Sequence, residues 1–377
     1  MKVVVAHNRY SSRQPSGENA VVDAELRWLA EVGIDVVPFL RSSDEIAALS
    51  LAERALLPVS PIYARQAQHA LGALLDKERP DVVHLHNPYP LLSPWVVRTA
   101  TVRNVPVVQT VHNFRHACVS GVFFRDGRSC RDCLGWSWPM PAVRHGCYRG
   151  SRAQSAVMAT ALAVHRTTWP EVARFLALTP EIEGFLRTIG VPATKIVVKP
   201  NAVSDPGPPT PPGDGFLFAG RLSPEKGVGL LLDAWARRPA GVLRIAGDGP
   251  LRSTVAMAGS TVEYLGPLDR AGVREAMRRV AVVVVPSLWD EVCPMVAIEA
   301  MANGRPVLAT SRGGLPWLIG DAGWLVEPTV DALVAGFVRA RAEAAGLAEA
   351  ARRRYETRFH PGVVTPQLVA AYASVAR

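Results

Sequence analysis

The sequence lacks any apolar stretch long enough to cross a bilayer, which takes about 20 consecutive apolar residues. Its longest smooth apolar stretches, residues 153–164 and 280–285, are much shorter. The chain begins Met1-Lys2 and continues directly into a strand-like apolar run, without the pattern of a secretory signal. We therefore expect a cytoplasmic protein.

Two common nucleotide-binding signatures are also missing. No Gly-x-Gly-x-x-Gly sequence follows the first predicted strand, which argues against a nicotinamide-dependent dehydrogenase. No Gly-Lys-Ser or Gly-Lys-Thr sequence is present, which argues against a P-loop nucleoside triphosphatase.

The excess of positive charge is not organised as a nucleic-acid-binding surface would be. The net charge of +9 comes from 42 Lys and Arg against 33 Asp and Glu, and the arginines are scattered apart from short clusters such as 352–354. A basic surface attracts acidic partners, but no module typical of nucleic-acid-binding proteins occurs. We expect no nucleic-acid partner, and weak association with an anionic membrane surface remains an alternative.

What the sequence does contain is a regular alternation of strands and helices in two halves. A chain of 377 residues, 49% apolar and 20% charged, exceeds what one hydrophobic core usually serves. The predicted strands are 3–8, 34–39, 81–86, 105–112, 174–179, 196–201, 215–220, 242–247, 262–266, 280–285, 305–310 and 324–326. The predicted helices are 20–32, 63–77, 150–164, 169–175, 180–189, 228–237, 269–279, 295–302, 330–355 and 366–376. This alternation indicates parallel βαβ units with helices on both faces of each sheet.

These elements predict an α/β protein of two doubly wound, Rossmann-like domains that face an interdomain cleft. Five prolines within residues 201–214 exclude a core element there and indicate a linker. We predict a first domain over 1–200 with a Cys-rich insertion at about 116–148, and a second domain over 215–355. A C-terminal helix within 356–377 is expected to pack back on the first domain.

Four histidines fall at or near the carboxyl ends of predicted strands: His7, His84, His86 and His112. Ligands of open parallel sheets bind beyond these ends. A single histidine there is often structural, but four of them favour a binding site that includes some of the four.

Four of the five cysteines fall in one thirty-residue window: Cys118, Cys130, Cys133 and Cys147. In a cytoplasmic protein, a Cys-x-x-Cys pair within such a group favours a metal or reduced thiols over disulfides. A structural zinc held by four thiolates would stabilise a loop of this length. The alternative is that reduced cysteines pack as small apolar side chains.

The segment 280–304 predicts a buried strand, a loop and a short helix. Pro294 fits the first helical position, and Met295 and Val296 would supply first-turn amides that suit an anion. Glu291 would precede this helix end, and Glu299 would lie about 7.5 Å further along the axis. The two carboxylates could therefore flank a bound phosphate, although a surface and a packing glutamate are the alternative.

Two cations flank a predicted turn between a strand and a helix in the second half. Arg221 and Lys226 beside helix amides would suit a diphosphate, and a solvated basic turn is the alternative. Together with Glu291 and Glu299 the combination becomes specific.

This combination resembles the retaining glycosyltransferases of family 4, which have the GT-B fold. The matching residues in the second half are Gly220-Arg221-Leu222, Pro224-Glu225-Lys226-Gly227, Gly247-Asp248-Gly249-Pro250, Glu291 and Glu299. In the first half they are Val111-His112-Asn113 and Pro200-Asn201-Ala202-Val203. The resemblance covers nearly the whole chain.

The resemblance implies transfer of a sugar from a UDP- or GDP-linked donor to a hydroxyl acceptor, with retained anomeric configuration. It implies that Arg221 and Lys226 hold the donor diphosphate and that Glu299 holds the ribose hydroxyls. Glu291 and His112 would contact the transferred sugar. Gly17 would let the first loop close over the phosphates, and the Leu265 backbone would lie near the base. His7, His84 and His86 would be on the acceptor side.

The sequence also departs from the family pattern. Pro294 replaces a glycine that is common in the family's glutamate motif, so one amide is absent there. The chain has no Asp-x-Asp sequence, so the metal-dependent diphosphate site of other glycosyltransferases is unsupported and no cofactor is expected for catalysis. A sugar-nucleotide 2-epimerase, which shares the two-domain fold, and a non-catalytic nucleotide-sugar-binding protein remain alternatives.

Overall fold

The structure, a computed structural model, describes residues 1–12 and 16–376. It divides into two compact units. The first comprises Met1–Phe123, Cys130–Lys199 and Thr365–Arg377, and the second comprises Phe124–Ser129 and Pro200–Val364. The expected insertion at about 116–148 is therefore divided between the two units, because six of its residues, Phe124–Ser129, group with the second.

The strands and helices alternate along the described chain. The strands are β1 (Lys2–Arg9), β2 (Asp35–Ser42), β3 (Val82–Leu85), β4 (Val107–Val111), β5 (Phe124–Arg125), β6 (Arg128–Ser129), β7 (Arg174–Ala177), β8 (Ile196–Val198), β9 (Phe216–Ala219), β10 (Leu243–Ala246), β11 (Val262–Gly266), β12 (Val282–Val285), β13 (Val307–Thr310) and β14 (Gly323–Val326). The helices are α1 (Gly17–Glu31), α2 (Leu51–Leu56), α3 (Arg65–Glu78), α4 (Val96–Thr101), α5 (Met140–Arg144), α6 (Arg152–His165), α7 (Pro180–Thr188), α8 (Val228–Arg237), α9 (Arg252–Ala256), α10 (Arg270–Arg278), α11 (Met295–Ala302), α12 (Leu315–Ile319), α13 (Val330–Arg358) and α14 (Pro361–Ala373).

Each unit contains a six-stranded sheet in which all neighbours are parallel. The strand order is β2-β1-β3-β4-β7-β8 in the first unit and β11-β10-β9-β12-β13-β14 in the second. Most central strands are buried along their whole length, for example Val282–Val285. Continuous β-branched runs of this kind are typical of strands covered by helices on both faces. Two doubly wound α/β domains are confirmed.

The proline-rich segment 201–214 contains no helix or strand and belongs to the second unit. The fully buried side chain of Arg305 anchors it by donating hydrogen bonds to the Thr210 carbonyl at 3.0 Å and to the Pro211 carbonyl at 3.1 Å. Proline has no N–H, so this segment relies on donors from outside to satisfy its carbonyls.

The C-terminal helix α14 supplies Leu368, Ala371 and Tyr372 to the core of the first unit, where they pack with β1 residues such as Val3 and Val5. The first unit is therefore built from both ends of the chain.

Several element boundaries differ from those expected. Helix α1 begins at Gly17 rather than residue 20, because the Ser16 hydroxyl caps it by accepting the Glu18 amide. The predicted helix over 169–175 is wrong: a single 3₁₀ turn at Trp169–Glu171 precedes β7. The helices of five or six residues were not predicted, since one or two turns carry too little periodicity.

Other elements have the predicted bounds: α8, β11 and α11. Among the residues that the structure describes, no helix combines the length and the hydropathy that crossing a membrane requires.

Candidate functional site

The strand order of the second sheet reverses between β9 and β12, and the loops that follow these two strands meet there. From this point, β9, β10 and β11 follow one another toward one edge of the sheet, and β12, β13 and β14 follow one another toward the other edge. Ligands of doubly wound sheets usually bind where the strand order reverses in this way. The Leu288 amide donates to the Glu225 carbonyl at 2.9 Å and joins the two loops.

Gly227 lets the two loops approach each other closely. Its φ is +73°, and a Cβ atom there would lie 1.8 Å from the Pro286 carbonyl oxygen. A side chain at this position would be strained by the backbone conformation and would collide with backbone. Glycine is therefore required by the packing of this site.

Lys226 and Glu291 meet between these loops. The Lys226 ammonium donates to Glu291 Oε1 at 2.7 Å, and the buried Ser287 hydroxyl donates to the same oxygen at 2.6 Å. The ammonium also lies 5.0 Å from the ring centroid of Trp289, a favourable position for a cation over an aromatic ring. The Trp289 indole N–H is buried without a hydrogen-bond partner among the described residues.

Arg221 lies on the same loop as Lys226 but is held more loosely. Its guanidinium contacts Glu225 Oε1 at 3.0 Å, and its side chain is 60% exposed. Glu225 is fixed in turn by the Ser223 hydroxyl, which donates to it at 2.6 Å. The loop thus presents one anchored cation and one exposed cation.

Helix α11 starts at Met295, four residues after Glu291. Pro294 is its N-cap residue, with φ −67° and a non-helical ψ of 117°, and not the first helical residue as predicted. Met295 and Val296 form the first turn and are partly exposed. Amides of a first turn have no acceptor within their helix, and the helix dipole favours an anion there.

Glu299 lies one turn further along α11 and is partly buried. Burial raises the pKa of its carboxyl group, and nearby Arg270 opposes that shift. Its carboxylate accepts no hydrogen bond from residues 1–12 or 16–376, so it has capacity for a ligand donor.

Two further predicted residues are placed by their elements. Leu265 is the penultimate residue of β11, the edge strand of the second sheet, and is partly buried. Gly17 is the first residue of α1 in the first unit.

The four predicted histidines come together in the first unit: His7, His84, His86 and His112. His84 is fully buried, and its two ring nitrogens are taken by the Thr110 hydroxyl at 2.8 Å and the Tyr372 hydroxyl at 2.6 Å. His7 is buried too, and its Nε2 is paired with the Asn19 side chain at 3.0 Å. Such burial argues against direct contact of His84 or His7 with an acceptor.

A buried charged pair contacts one of these rings. The buried Lys199 ammonium contacts Glu25 Oε1, and Glu25 Oε2 lies 3.5 Å from His86 Nε2. His86 Nδ1 is 2.9 Å from His112 Nε2. Within the described part of the chain, Glu25, His84 and His86 are the only group of three or more potential ligands whose atoms lie within 4.8 Å of one another. Lys199 and the hydrogen bonds already occupy most of those atoms, so the group is a hydrogen-bonded network.

A small cavity in the first unit is lined by side chains that include Glu18, Tyr89, His112, Arg115 and His116. Three of them carry buried polar atoms without a partner among the described residues: Glu18 Oε1, the Tyr89 hydroxyl and His116 Nδ1. Buried polar groups normally have partners, so this cavity suits a hydroxyl-bearing ligand or water. Burial raises the pKa of Glu18 to about 7 and lowers that of His116 to about 4.

Of the lining residues named above, sequence reasoning identified His112 and missed the others, and it also missed Ser287 and Trp289. Glu18 and Trp289 stand in segments that were already of interest, but no spacing rule distinguishes them from surface residues. Their burial is the signal that identifies them.

The four clustered cysteines lie in a segment whose regular structure is limited to β5, β6 and α5. The Ala142 backbone links two of them, since its amide approaches the Cys133 sulfur and its carbonyl accepts the Cys147 amide at 3.0 Å. Burial raises the pKa of the Cys133 thiol to about 12, with smaller contributions from the neighbouring cysteines. No three of the sulfurs lie mutually within 4.8 Å in the described structure, so the zinc site stays a prediction.

Two family models match the chain and together cover most of it. Residues 16–202 match "Glycosyl transferase 4-like domain", and residues 213–343 match "Glycosyl transferases group 1".

Several curated relatives are named as glycosyltransferases. The chain is 29% identical over 330 residues to phosphatidyl-myo-inositol mannosyltransferase of Mycobacterium leprae. That alignment covers 78% of this chain and 74% of the mycobacterial protein. It is 33% identical over 183 residues to D-inositol 3-phosphate glycosyltransferase of Mycobacterium avium, covering 44% of this chain and 42% of that protein. The chain thus spans less than half the length of the second relative.

Solved structures resemble the whole chain. Sucrose-phosphate synthase from Thermosynechococcus elongatus has a TM-score of 0.74 at 21% identity, covering 99% of this chain and 98% of that one. Anabaena HepE in complex with UDP has a TM-score of 0.67 at 18% identity, covering 99% and 100%. At these identities the likeness concerns the fold.

Proposed function

The chain belongs to the family 4 glycosyltransferases of the GT-B fold, and on this premise we propose that it is a retaining transferase that uses a nucleotide-diphosphate sugar. The donor is a UDP- or GDP-linked sugar. The acceptor is a hydroxyl compound: a glycolipid precursor, a polysaccharide precursor or a small-molecule natural product.

One observation carries this proposal. Lys226 is paired with Glu291 at 2.7 Å, although the two residues are 65 positions apart in sequence. The pair lies where the strand order of the second sheet reverses, next to the first turn of α11. A departing nucleoside diphosphate develops negative charge, which a fixed cation and helix amides stabilise. The paired carboxylate keeps the ammonium in place before the donor arrives.

The neighbouring residues have matching roles. The exposed Arg221 joins Lys226 on the diphosphate, Met295 and Val296 contribute amides, and Glu299 accepts hydrogen bonds from ribose hydroxyls. Glu291 and His112 contact the transferred sugar, as the family resemblance implies. Leu265 lies near the base, and Gly17 lies near the phosphates.

On the acceptor side, we assign the lining of the first-unit cavity rather than His7 or His84. Glu18 and Tyr89 offer unpartnered oxygens to an acceptor hydroxyl, and Arg115 offers a cation. Catalysis is proposed to need no metal, since the cations of the second unit supply the positive charge.

Incubation of the purified full chain with nucleotide sugars, followed by mass spectrometry with small-molecule and lipid acceptors, tests the proposal. We expect a transferred sugar of unchanged anomeric configuration by NMR, and unchanged activity in excess chelator. The lipid arm includes anionic vesicles, because several relatives are named for a phosphatidylinositol substrate.

Each competing function has its own outcome. Epimerisation of the donor without acceptor would identify a sugar-nucleotide 2-epimerase. Tight donor binding without turnover of any acceptor would identify a binding protein.

The donor-site assignment makes a direct prediction about two variants. Lys226→Ala and Glu299→Ala are each expected to lower kcat/KM about 100-fold or more, the scale on which preorganised charge stabilisation acts. Thermal unfolding should show both variants folded. Lys77→Ala, at a lysine with a 79% exposed side chain in the first unit, serves as the control. Normal turnover in both site variants would reject the assignment.

A further inference from the structure

A continuous line of contacts runs through the first unit from Lys199 to His112. Lys199 pairs with one carboxylate oxygen of Glu25, and the other oxygen faces His86 Nε2 at 3.5 Å. His86 Nδ1 then meets His112 Nε2 at 2.9 Å. Glu25 Oε2 and His86 Nε2 are both buried without a hydrogen-bond partner in the described residues, and their 3.5 Å contact sets one unsatisfied polar atom against the other.

Both imidazoles in this line are neutral. His86 is almost completely buried and His112 is partly buried. Burial lowers the pKa of each ring well below its ordinary value, and the nearby Lys199 ammonium lowers both further. A neutral imidazole carries a single N–H, so one of its nitrogens donates and the other accepts.

The carboxylate determines which nitrogen carries each proton. An ionised carboxylate only accepts hydrogen bonds, so the proton of His86 resides on Nε2, which faces Glu25. His86 Nδ1 then has a lone pair and must accept, so His112 donates through Nε2. The remaining nitrogen of His112, Nδ1, is left with a lone pair.

We propose that Glu25 is a positioning residue that, through His86, fixes His112 in the tautomer whose Nδ1 accepts a hydrogen bond from a hydroxyl group of the transferred sugar. The role of His112 in this inference rests on the proposed function. The order of the protons rests on the contacts within the first unit alone.

The line makes the enzyme selective for a hydrogen-bond donor on the sugar. A hydroxyl group donates to the bare Nδ1, whereas fluorine in its place cannot. A site that accepts one hydrogen bond discriminates against an analogue that cannot supply it, typically by about tenfold for 1.4 kcal/mol.

Glu25→Gln reverses the direction of the hydrogen bonds from residue 25 through His86 to His112, while glutamine keeps the shape of the glutamate side chain. The Lys199 ammonium only donates, so it attracts the amide oxygen of glutamine and turns the amide NH₂ group toward His86 Nε2. His86 must then accept at Nε2 and donate from Nδ1, and His112 must accept at Nε2 and carry its proton on Nδ1. The variant therefore exchanges the acceptor nitrogen of His112 for a donor.

Long-range ¹H–¹⁵N NMR of the histidine rings in the full chain tests the inference without any turnover. We expect His112 to be protonated on Nε2 in the unaltered protein and on Nδ1 in Glu25→Gln. Tyr372→Phe is the matched control, because it removes the hydroxyl bonded to His84 Nδ1 but leaves the Glu25–His86–His112 line intact. Its His112 tautomer should not change.

A kinetic comparison adds a readout that general destabilisation would not produce. Among donors with one hydroxyl replaced by fluorine, one position is expected to lower kcat/KM about tenfold or more in the unaltered enzyme and clearly less in Glu25→Gln.

The outcomes separate this inference from the proposed function. His112 protonated on Nδ1 in the unaltered protein would overturn the inference, and this spectrum decides even where Glu25→Gln does not fold. An unchanged tautomer in a folded Glu25→Gln would overturn it as well. The expected tautomers in a protein that transfers no sugar would leave the line standing and reject the proposed function.

Discussion

At the scale of single residues, the charged side chains of these sites are either paired with an opposite charge or buried. Lys226 is held by Glu291, and Lys199 is held by Glu25. Glu18 is buried without such a close pair: its side chain is only 10% exposed, its Oε1 has no hydrogen-bond partner in the described chain, and His7 Nδ1 lies 3.9 Å away. An ionised carboxylate in that position is destabilised until a donor arrives.

The stability of the protein should therefore depend on pH through Glu18. Its folded pKa of about 7 lies above the ordinary 4.5, so the folded state binds more protons than the unfolded state between these values. The free energy of unfolding then falls as pH rises through this window, by on the order of 3 kcal/mol. Glu18→Gln removes this dependence, so its free energy of unfolding relative to the unaltered protein should increase from pH 5 to pH 8 in urea titrations.

Glu349→Gln is the control for this prediction, because its side chain is 91% exposed. A stability difference between Glu18→Gln and the unaltered protein that stays constant with pH would contradict the assignment of a raised pKa to Glu18.

At the scale of elements, the loops after β9 and β12 pack against each other because Gly227 allows their backbones to make contact. Gly227→Ala places a Cβ against the Pro286 carbonyl and forces a side chain into a positive φ. The conformation alone costs about 1–3 kcal/mol, and the clash must displace one loop. We expect a lower melting temperature and loss of donor binding.

Gly229→Ala is the matched control two residues later. A Cβ atom there meets nothing within 4 Å, so alanine should stabilise α8 by about 0.5–1 kcal/mol. Equal melting temperatures and donor affinities in the two variants would refute the close packing of the loops.

The cysteine segment is the element whose role is still only predicted. If four thiolates hold zinc, the purified protein should contain about one zinc ion per chain. Cys130→Ser and Cys133→Ser should each lose the ion and lower the melting temperature, because a structural zinc contributes directly to folding. Cys293→Ser, in the second unit, should keep it. Absence of stoichiometric zinc in the unaltered protein would end this hypothesis.

At the scale of the whole molecule, the two ends of the chain build one core. Val3 and Val5 of β1 pack with Leu368 and Tyr372 of α14 in the first unit. Contacts between residues so far apart in sequence slow folding, because a long loop must close before they form. The first unit needs its C-terminal segment, which begins at Thr365, as well as the N-terminal half of the chain.

Leu368→Ala should show this dependence, since the side chain is 1% exposed. Replacing a buried leucine by alanine costs about 2–5 kcal/mol, which calorimetry should register as a lower melting temperature of the first unit. Gln367→Ala, at the adjacent partly exposed position, should change stability by less than about 0.5 kcal/mol. Equal effects of the two variants would argue that α14 does not contribute to the core.

The sequence by itself determined the alternation of strands and helices, and with it the two parallel sheets. It also determined the bounds of elements with strong local signals, such as α11 between a proline and an Asn-Gly stop. The family of the chain was visible from motifs that are local in sequence, such as residues 220–227. These features depend on neighbouring residues, which is why periodicity and spacing were sufficient to predict them.

Only the tertiary structure decided which distant residues meet. Strand order places β9 beside β12, and this alone brings Lys226 to Glu291. Burial, which no local pattern reveals, raises the pKa of Glu18 and keeps His86 neutral. The physical reason is that contact and desolvation depend on how elements pack, and residues far apart in sequence carry no mutual signal until the chain has folded.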